Sequence, residues 1–144
     1  MHFSKAAAVL AAILALTGPV FSQENSPADL LEGVWQMLPP EGVDASEPHF
    51  TGQIVFSEAG TMSVQAMDPD PTLTTTYMVD GYEAFYGTYE VDEAGGTFVV
   101  TVESALGRDL IGQELERAFE VTEGRLTLTP TNPEENWRVT YERL

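Results

Sequence analysis

Cysteine is absent from the 144 residues. That excludes disulfides, thiol catalysis and thiolate metal sites, so stability has to come from core packing and strand closure. Positive charge is nearly as scarce. Six basic residues stand against 23 acidic ones, a formal net charge of −17 at pH 7. Nucleic acid is thereby excluded as a natural partner, because binding it needs a basic surface. An anionic membrane surface is disfavoured for the same reason. The acidic excess reads as a strongly hydrated, solubilising surface. Histidine is limited to His2 and His49. His49 follows Pro48 in a loop and is expected at the surface. With no Gly-x-Ser-x-Gly elbow either, a Ser-His-Asp hydrolase has no foothold.

Long apolar runs are missing, with one exception. Ala6 to Leu16 is unbroken and apolar, follows the single lysine, Lys5, and is stopped by Thr17-Gly18-Pro19. Val20-Phe21-Ser22 then offers a cleavage site. This is the layout of a secretory signal peptide over residues 1–22. The run falls short of the about 20 apolar residues a spanning helix needs. The expectation is an exported chain, periplasmic or secreted, with no membrane insertion once the leader is removed. Beyond Ser22, five arginines against 23 acids leave a net charge of −18.

Residues 23–32 read as a polar tail running into one helical turn. Ser26 is its N-cap, Pro27 takes the first position, Asp29 lies in the first turn and Gly33 follows its end. Leu30 and Leu31 are placed across the end of whatever follows. From Gly33 to Leu144 the pattern has period two, broken by turn chemistry. Eight strands are expected: Gly33–Leu38, Thr51–Ser57, Thr61–Met67, Gly87–Asp92, Thr97–Glu103, Gln113–Thr122, Arg125–Pro130 and Trp137–Arg143. The stretch Thr72 to Phe85 is the least regular, with a short helix expected around Val79 to Phe85. Short connections make neighbours antiparallel. The fold class is therefore all-β: an eight-stranded antiparallel up-and-down β-barrel with a short N-terminal helical turn, able to hold one small ligand.

Alternation assigns the faces. In the sixth strand Glu114, Glu116 and Glu120 must face water, which turns Leu115, Arg117, Phe119 and Val121 inward. The same rule groups Phe98, Val100 and Val102, then Tyr89 and Val91, then Trp137, Val139, Tyr141 and Arg143. Phe56, Met62, Val64, Phe98, Val100, Phe119 and Tyr89 are the candidates to line an apolar cavity. Arg117 is the residue this face makes hardest to explain, since an unpaired buried charge is costly. Either it makes an internal ion pair near the mouth, or it receives a ligand carboxylate, with Tyr89 and Tyr141 adding hydroxyl contacts. No motif calls for a cofactor or a metal. Asp68, Asp70, Asp92 and Glu93 read as turn residues, and their spacing matches no calcium loop.

Several stretches resemble one family: Gly33-Val34-Trp35, then Gly60-Thr61-Met62-Ser63-Val64-Gln65, then Tyr86-Gly87-Thr88-Tyr89-Glu90-Val91-Asp92. Gly112 to Phe119 followed by Arg125-Leu126-Thr127-Leu128-Thr129 completes the set. In that order and spacing the chain resembles the bacterial and fungal lipocalin-like domain family, within the wider lipocalin and calycin group, over roughly Leu31 to Leu144. The resemblance implies a small barrel that binds small apolar molecules. It also implies that a C-terminal arginine, Arg143 or else Arg138, covers the Trp35 ring, giving Gly33, Trp35 and Arg143 a structural role. The lack of cysteine sets the chain apart from secreted vertebrate lipocalins, so their ligands are not carried over.

Three functions follow. The leading one is an exported barrel that binds a small hydrophobic molecule, with or without a carboxylate. The second is an isomerase or cyclase using the same cavity, with Arg117 and a tyrosine stabilising charge. The third is an interaction module whose barrel is filled by its own side chains. The oligomeric state stays open.

Overall fold

A computed structural model describes residues 25–144. The leader read over residues 1–22, and residues 23 and 24 of the tail, lie outside the described residues. The first element is a single helical turn, α1 (Pro27–Leu31). Its capping box is closed in both directions. Asp29 N–H donates to Ser26 Oγ at 3.2 Å, and Ser26 N–H donates to Asp29 Oδ2 at 2.9 Å. Of the two leucines, only Leu31 crosses the barrel end, where it is 0% exposed; Leu30 stays at the surface with 36%.

Eight strands follow: β1 (Gly33–Met37), β2 (Thr51–Phe56), β3 (Thr61–Met67), β4 (Tyr82–Asp92), β5 (Thr97–Ala105), β6 (Glu114–Thr122), β7 (Arg125–Pro130) and β8 (Val139–Arg143). Each pairs antiparallel with the next, and β1 pairs with β8 to close the barrel. The register of that closure sets Trp35 opposite Arg143 and Met37 opposite Tyr141. Closure leaves no sheet edge to template aggregation. The turns at 57–60, 93–96 and 123–124 are tight and share one end with α1. The connections 38–50, 68–81, 106–113 and 131–138 are longer and gather at the other, the mouth.

Two strand starts differ from the sequence reading by more than one residue. The helix expected around Val79 to Phe85 is instead a tight turn followed by the first third of β4. Asp80 and Gly81 both have positive φ, 51° and 73°. Val79 and Tyr82 exchange backbone hydrogen bonds of 2.9 and 3.0 Å across them. An Asp-Gly pair in this conformation reverses the chain into a strand, because its twist matches a β-ladder and not a helix. β4 thus starts five residues earlier than Gly87, and Glu83 and Phe85 join its inward face. The other shift is in β8, which begins at Val139, leaving Trp137 in the mouth connection.

Gly87 marks the bulge in β4, where the register with β5 shifts between Tyr86 and Gly87. A Cβ there would lie 1.9 Å from the Thr101 carbonyl oxygen, so the close approach of the two backbones requires glycine.

Alternation carries into burial. Phe98, Val100 and Val102 are at most 1% exposed, and Leu115, Phe119 and Val121 pack against them from β6. Among the described residues no helix is long and apolar enough to cross a membrane.

Candidate functional site

The barrel interior is divided. Its lower part, toward the tight turns, is filled by aromatic rings in edge-on and tilted contact. Phe56 meets Tyr89 at 5.1 Å and Phe98 at 5.3 Å between ring centroids, and Phe119 meets Phe98 at 6.1 Å. Below them Trp35 is fully buried, its indole N–H donating to the Leu31 carbonyl at 2.8 Å. Arg143 covers it from outside, 4.2 Å from the guanidinium carbon to the ring centroid. Arg138, the other arginine considered for that role, stands on the mouth connection before β8.

Above this floor lies a cavity of about 290 Å³. Its walls are Met37, Ile54, Met62, Val64 and Phe85, joined by Phe98, Val100, Leu128, Val139 and Tyr141. Phe50, Thr75, Tyr77, Met78 and Trp137 enclose it from the mouth connections, and Arg117 and Glu83 are its charged members. Of the residues singled out from sequence, Arg117, Tyr141, Met62, Val64, Phe98 and Val100 stand on the cavity wall. Phe56, Tyr89 and Phe119 do not. They form the floor, because the rings of β2, β4 and β6 converge on Phe98 and leave no space between them.

Arg117 is held by the mouth and not free within it. Its guanidinium carbon lies 5.3 Å from the Tyr77 ring centroid and 5.1 Å from that of Trp137, so two aromatic rings take up its faces. Its Nη1 donates to the Glu116 carbonyl at 2.9 Å and lies 4.0 Å from Glu135 Oε1. The Glu135 carboxylate in turn accepts from Tyr77 Oη at 3.0 Å and from Trp137 Nε1 at 2.7 Å. Burial pushes the Glu135 carboxyl up, but the bonds from Trp137 and Tyr77 and the Arg117 charge outweigh it and bring it below its ordinary value. Tyr77 and Glu135 come from different mouth connections, so this group ties 68–81 to 131–138.

Glu83, like Tyr77 and Glu135, was not singled out by the sequence reading. It points into the cavity from β4, and burial pushes its carboxyl up to about 7, against a pull downward from Arg117. Burial also raises the Tyr141 hydroxyl, and the Glu83 charge adds to that. No hydrogen bond to either group contributes to these shifts. The usable sequence signal was Asp80-Gly81, which starts a strand whose inward face begins at Glu83.

The mouth connections are acidic. They carry Glu41, Asp44, Glu47, Asp68, Asp70, Asp80, Asp109, Glu134 and Glu135 against Arg108 and Arg138. Several of these acids serve the turns. Asp70 Oδ1 accepts from Thr72 N–H at 2.9 Å and Asp68 Oδ1 from Asp70 N–H at 2.8 Å. At the opposite end Asp92 Oδ1 accepts from Ala94 N–H at 3.1 Å. Among the described residues no group of three or more histidine or acidic side chains is placed to hold a metal ion.

An eight-stranded up-and-down barrel, plugged at one end and hollow at the other, is the architecture of a lipocalin-type protein. A family model described as a lipocalin-like domain matches residues 45–143, and the chain belongs to that family. The match runs from just before β2 through β8, and the paired β1 completes the barrel outside it. No curated protein matches the chain.

Proposed function

We propose that this protein is exported and binds a small, largely apolar molecule inside the barrel. The observation that supports it is the cavity of about 290 Å³. Its walls are mostly aliphatic, aromatic and methionine side chains, and a few polar groups converge on it, as in small-molecule sites. The volume is at the small end of such sites, roughly that of ten liquid waters, so the ligand is compact and not a long-chain lipid. Phe98, backed by the rings of Phe56, Tyr89 and Phe119, gives one side of the ligand a rigid apolar surface. The methionines Met37, Met62 and Met78 give the other side adaptable packing.

Native mass spectrometry of the protein purified from its own organism tests this. A co-purifying compound that is lost in Val100→Trp is the expected result, with circular dichroism confirming that the variant keeps its β-sheet. Ligand and probe binding undiminished in a folded Val100→Trp variant would overturn the cavity as the site. N-terminal sequencing of the same material tests export, the expected start being Gln23.

A second reading is an enzyme, an isomerase or cyclase, working in the same cavity. Glu83 favours it, because a carboxyl near 7 suits proton transfer at neutral pH. Product formation from a bound compound, lost in Glu83→Gln with binding kept, would establish it.

A further inference from the structure

Among the described residues, Glu83 is the one charged side chain of the cavity that lacks a neutralising partner of its own. Arg117 and Glu135 match each other's charge, and both Arg117 faces are covered by Tyr77 and Trp137. With Glu83 ionised, these three groups carry a net charge of −1. The Tyr141 hydroxyl stands close enough to feel the Glu83 charge. The remaining wall is largely apolar, and among the described residues no hydrogen bond to the carboxylate offsets its burial. An uncompensated carboxylate in such surroundings is costly and is settled either by taking up a proton or by acquiring a cation.

We infer that the ligand carries a protonated amine on a compact apolar body, and that the Glu83 carboxylate receives the ammonium group with Tyr141 beside it. The inference rests on the cavity binding a ligand at all. The cation restores neutrality to the Glu83, Arg117 and Glu135 group and supplies the charge-assisted hydrogen bond that Glu83 lacks. The apolar body fills the space between Val64, Val100 and Leu128. A carboxylate ligand would meet the opposite situation: its natural receiver, Arg117, already faces Glu135, and Glu83 would repel it. The acidic mouth connections raise the local concentration of cations and lower that of anions. Arg117 pulls the Glu83 carboxyl down, and the Glu83 charge in turn raises the Tyr141 hydroxyl. The Tyr141 hydroxyl is pushed further up from an already alkaline value, so Glu83 governs the pH response of amine binding between pH 5 and 8.

Calorimetric titration with three matched probes tests this: 2-phenylethylamine, 2-phenylethanol and 3-phenylpropanoate. The amine is expected to bind at least about tenfold more tightly than the alcohol at pH 8 and the carboxylate more weakly than either. In Glu83→Gln the amine's advantage over the alcohol disappears. For the wild-type protein, amine affinity falls as the pH drops from 8 to 5, and alcohol affinity stays level. Binding of the alcohol with no preference for the amine, or with a preference for the carboxylate, overturns the inference and leaves the cavity reading standing. Failure of all three probes counts against both. If Glu83→Gln does not fold, the wild-type preference and its pH profile still decide the matter.

Discussion

The Arg143 guanidinium lies 4.2 Å from the Trp35 ring centroid and also donates to the carbonyls of Leu30 and Glu32. One side chain from the last strand therefore clamps the first strand, the helical turn before it and the plug of the barrel. Arg143→Ala is expected to lower stability by about 2 kcal/mol, combining a cation–π contact with charged hydrogen bonds to two carbonyls. Arg143→Lys should recover less than half, because an ammonium cannot fork to two carbonyls while stacking. Denaturant unfolding measures both, and ligand affinity should not change.

Gly33 depends on the same clamp. Its φ is +132°, and a Cβ added there would lie 2.7 Å from Arg143 Nη1. Gly33→Ala is expected to cost about 2–4 kcal/mol through backbone strain and displacement of the guanidinium. In the double variant with Arg143→Ala the losses should fall short of additivity by at least about 1 kcal/mol, since the displaced group is already gone. Full additivity in denaturant unfolding would show that the two residues do not act on each other.

Glu83 makes stability depend on pH. Its folded-state value of about 7 lies above the ordinary 4.5, so folding favours the neutral carboxyl. The stabilisation is complete below 4.5 and is lost as the pH rises through about 7. Glu83→Gln removes the dependence. At pH 4 variant and wild type should unfold alike. By pH 8 the variant should be the more stable by up to about 3 kcal/mol. Thermal unfolding across that range, read as the difference between the two proteins, isolates Glu83 from the other acids.

The Arg117 group at the mouth should behave as a unit. Glu135→Gln leaves Arg117, with 12% of its side chain exposed, without its counter-charge and is expected to cost about 1–3 kcal/mol. Arg117→Met removes the charge and keeps much of the packing against Tyr77 and Trp137. Combined, the two should be less damaging than their sum, and a double-mutant cycle by denaturant unfolding reads the coupling.

Much of the barrel was legible because its cause is local. The acidic alternation of Glu114, Glu116 and Glu120 orients β6 without reference to any other strand. Asp92, Gly60 and Glu123-Gly124 mark turns by their own conformational preferences. The helix expected over Val79 to Phe85 failed on the same kind of evidence, since the apolar residues Val79, Tyr82 and Phe85 fit helical spacing while Asp80-Gly81 starts a hairpin. That one misreading concealed Glu83. Of the Tyr77, Arg117, Glu135 and Trp137 group, the ion pair of Arg117 near the mouth was one of two alternatives the sequence left open, but its partners were not legible. The group's members come from two connections and a strand, with Tyr77 and Glu135 58 positions apart, and no periodicity relates them.

By itself, then, the sequence determined which side chains turn inward, because the pleat alternates every residue whatever lies across the barrel. It also determined the turn chemistry and, through cysteine's absence, that no disulfide assists the fold. Only the tertiary structure decided which inward residues fill the barrel and which surround a space. Phe56, Tyr89 and Phe119 look like cavity residues along their strands, yet they meet across the barrel at Phe98 and close it. Space is left where Val64, Val100, Leu128 and Tyr141 stand back from one another. It depends on the stagger and closure of all eight strands together, and with it the partners of Arg117 and the isolation of Glu83.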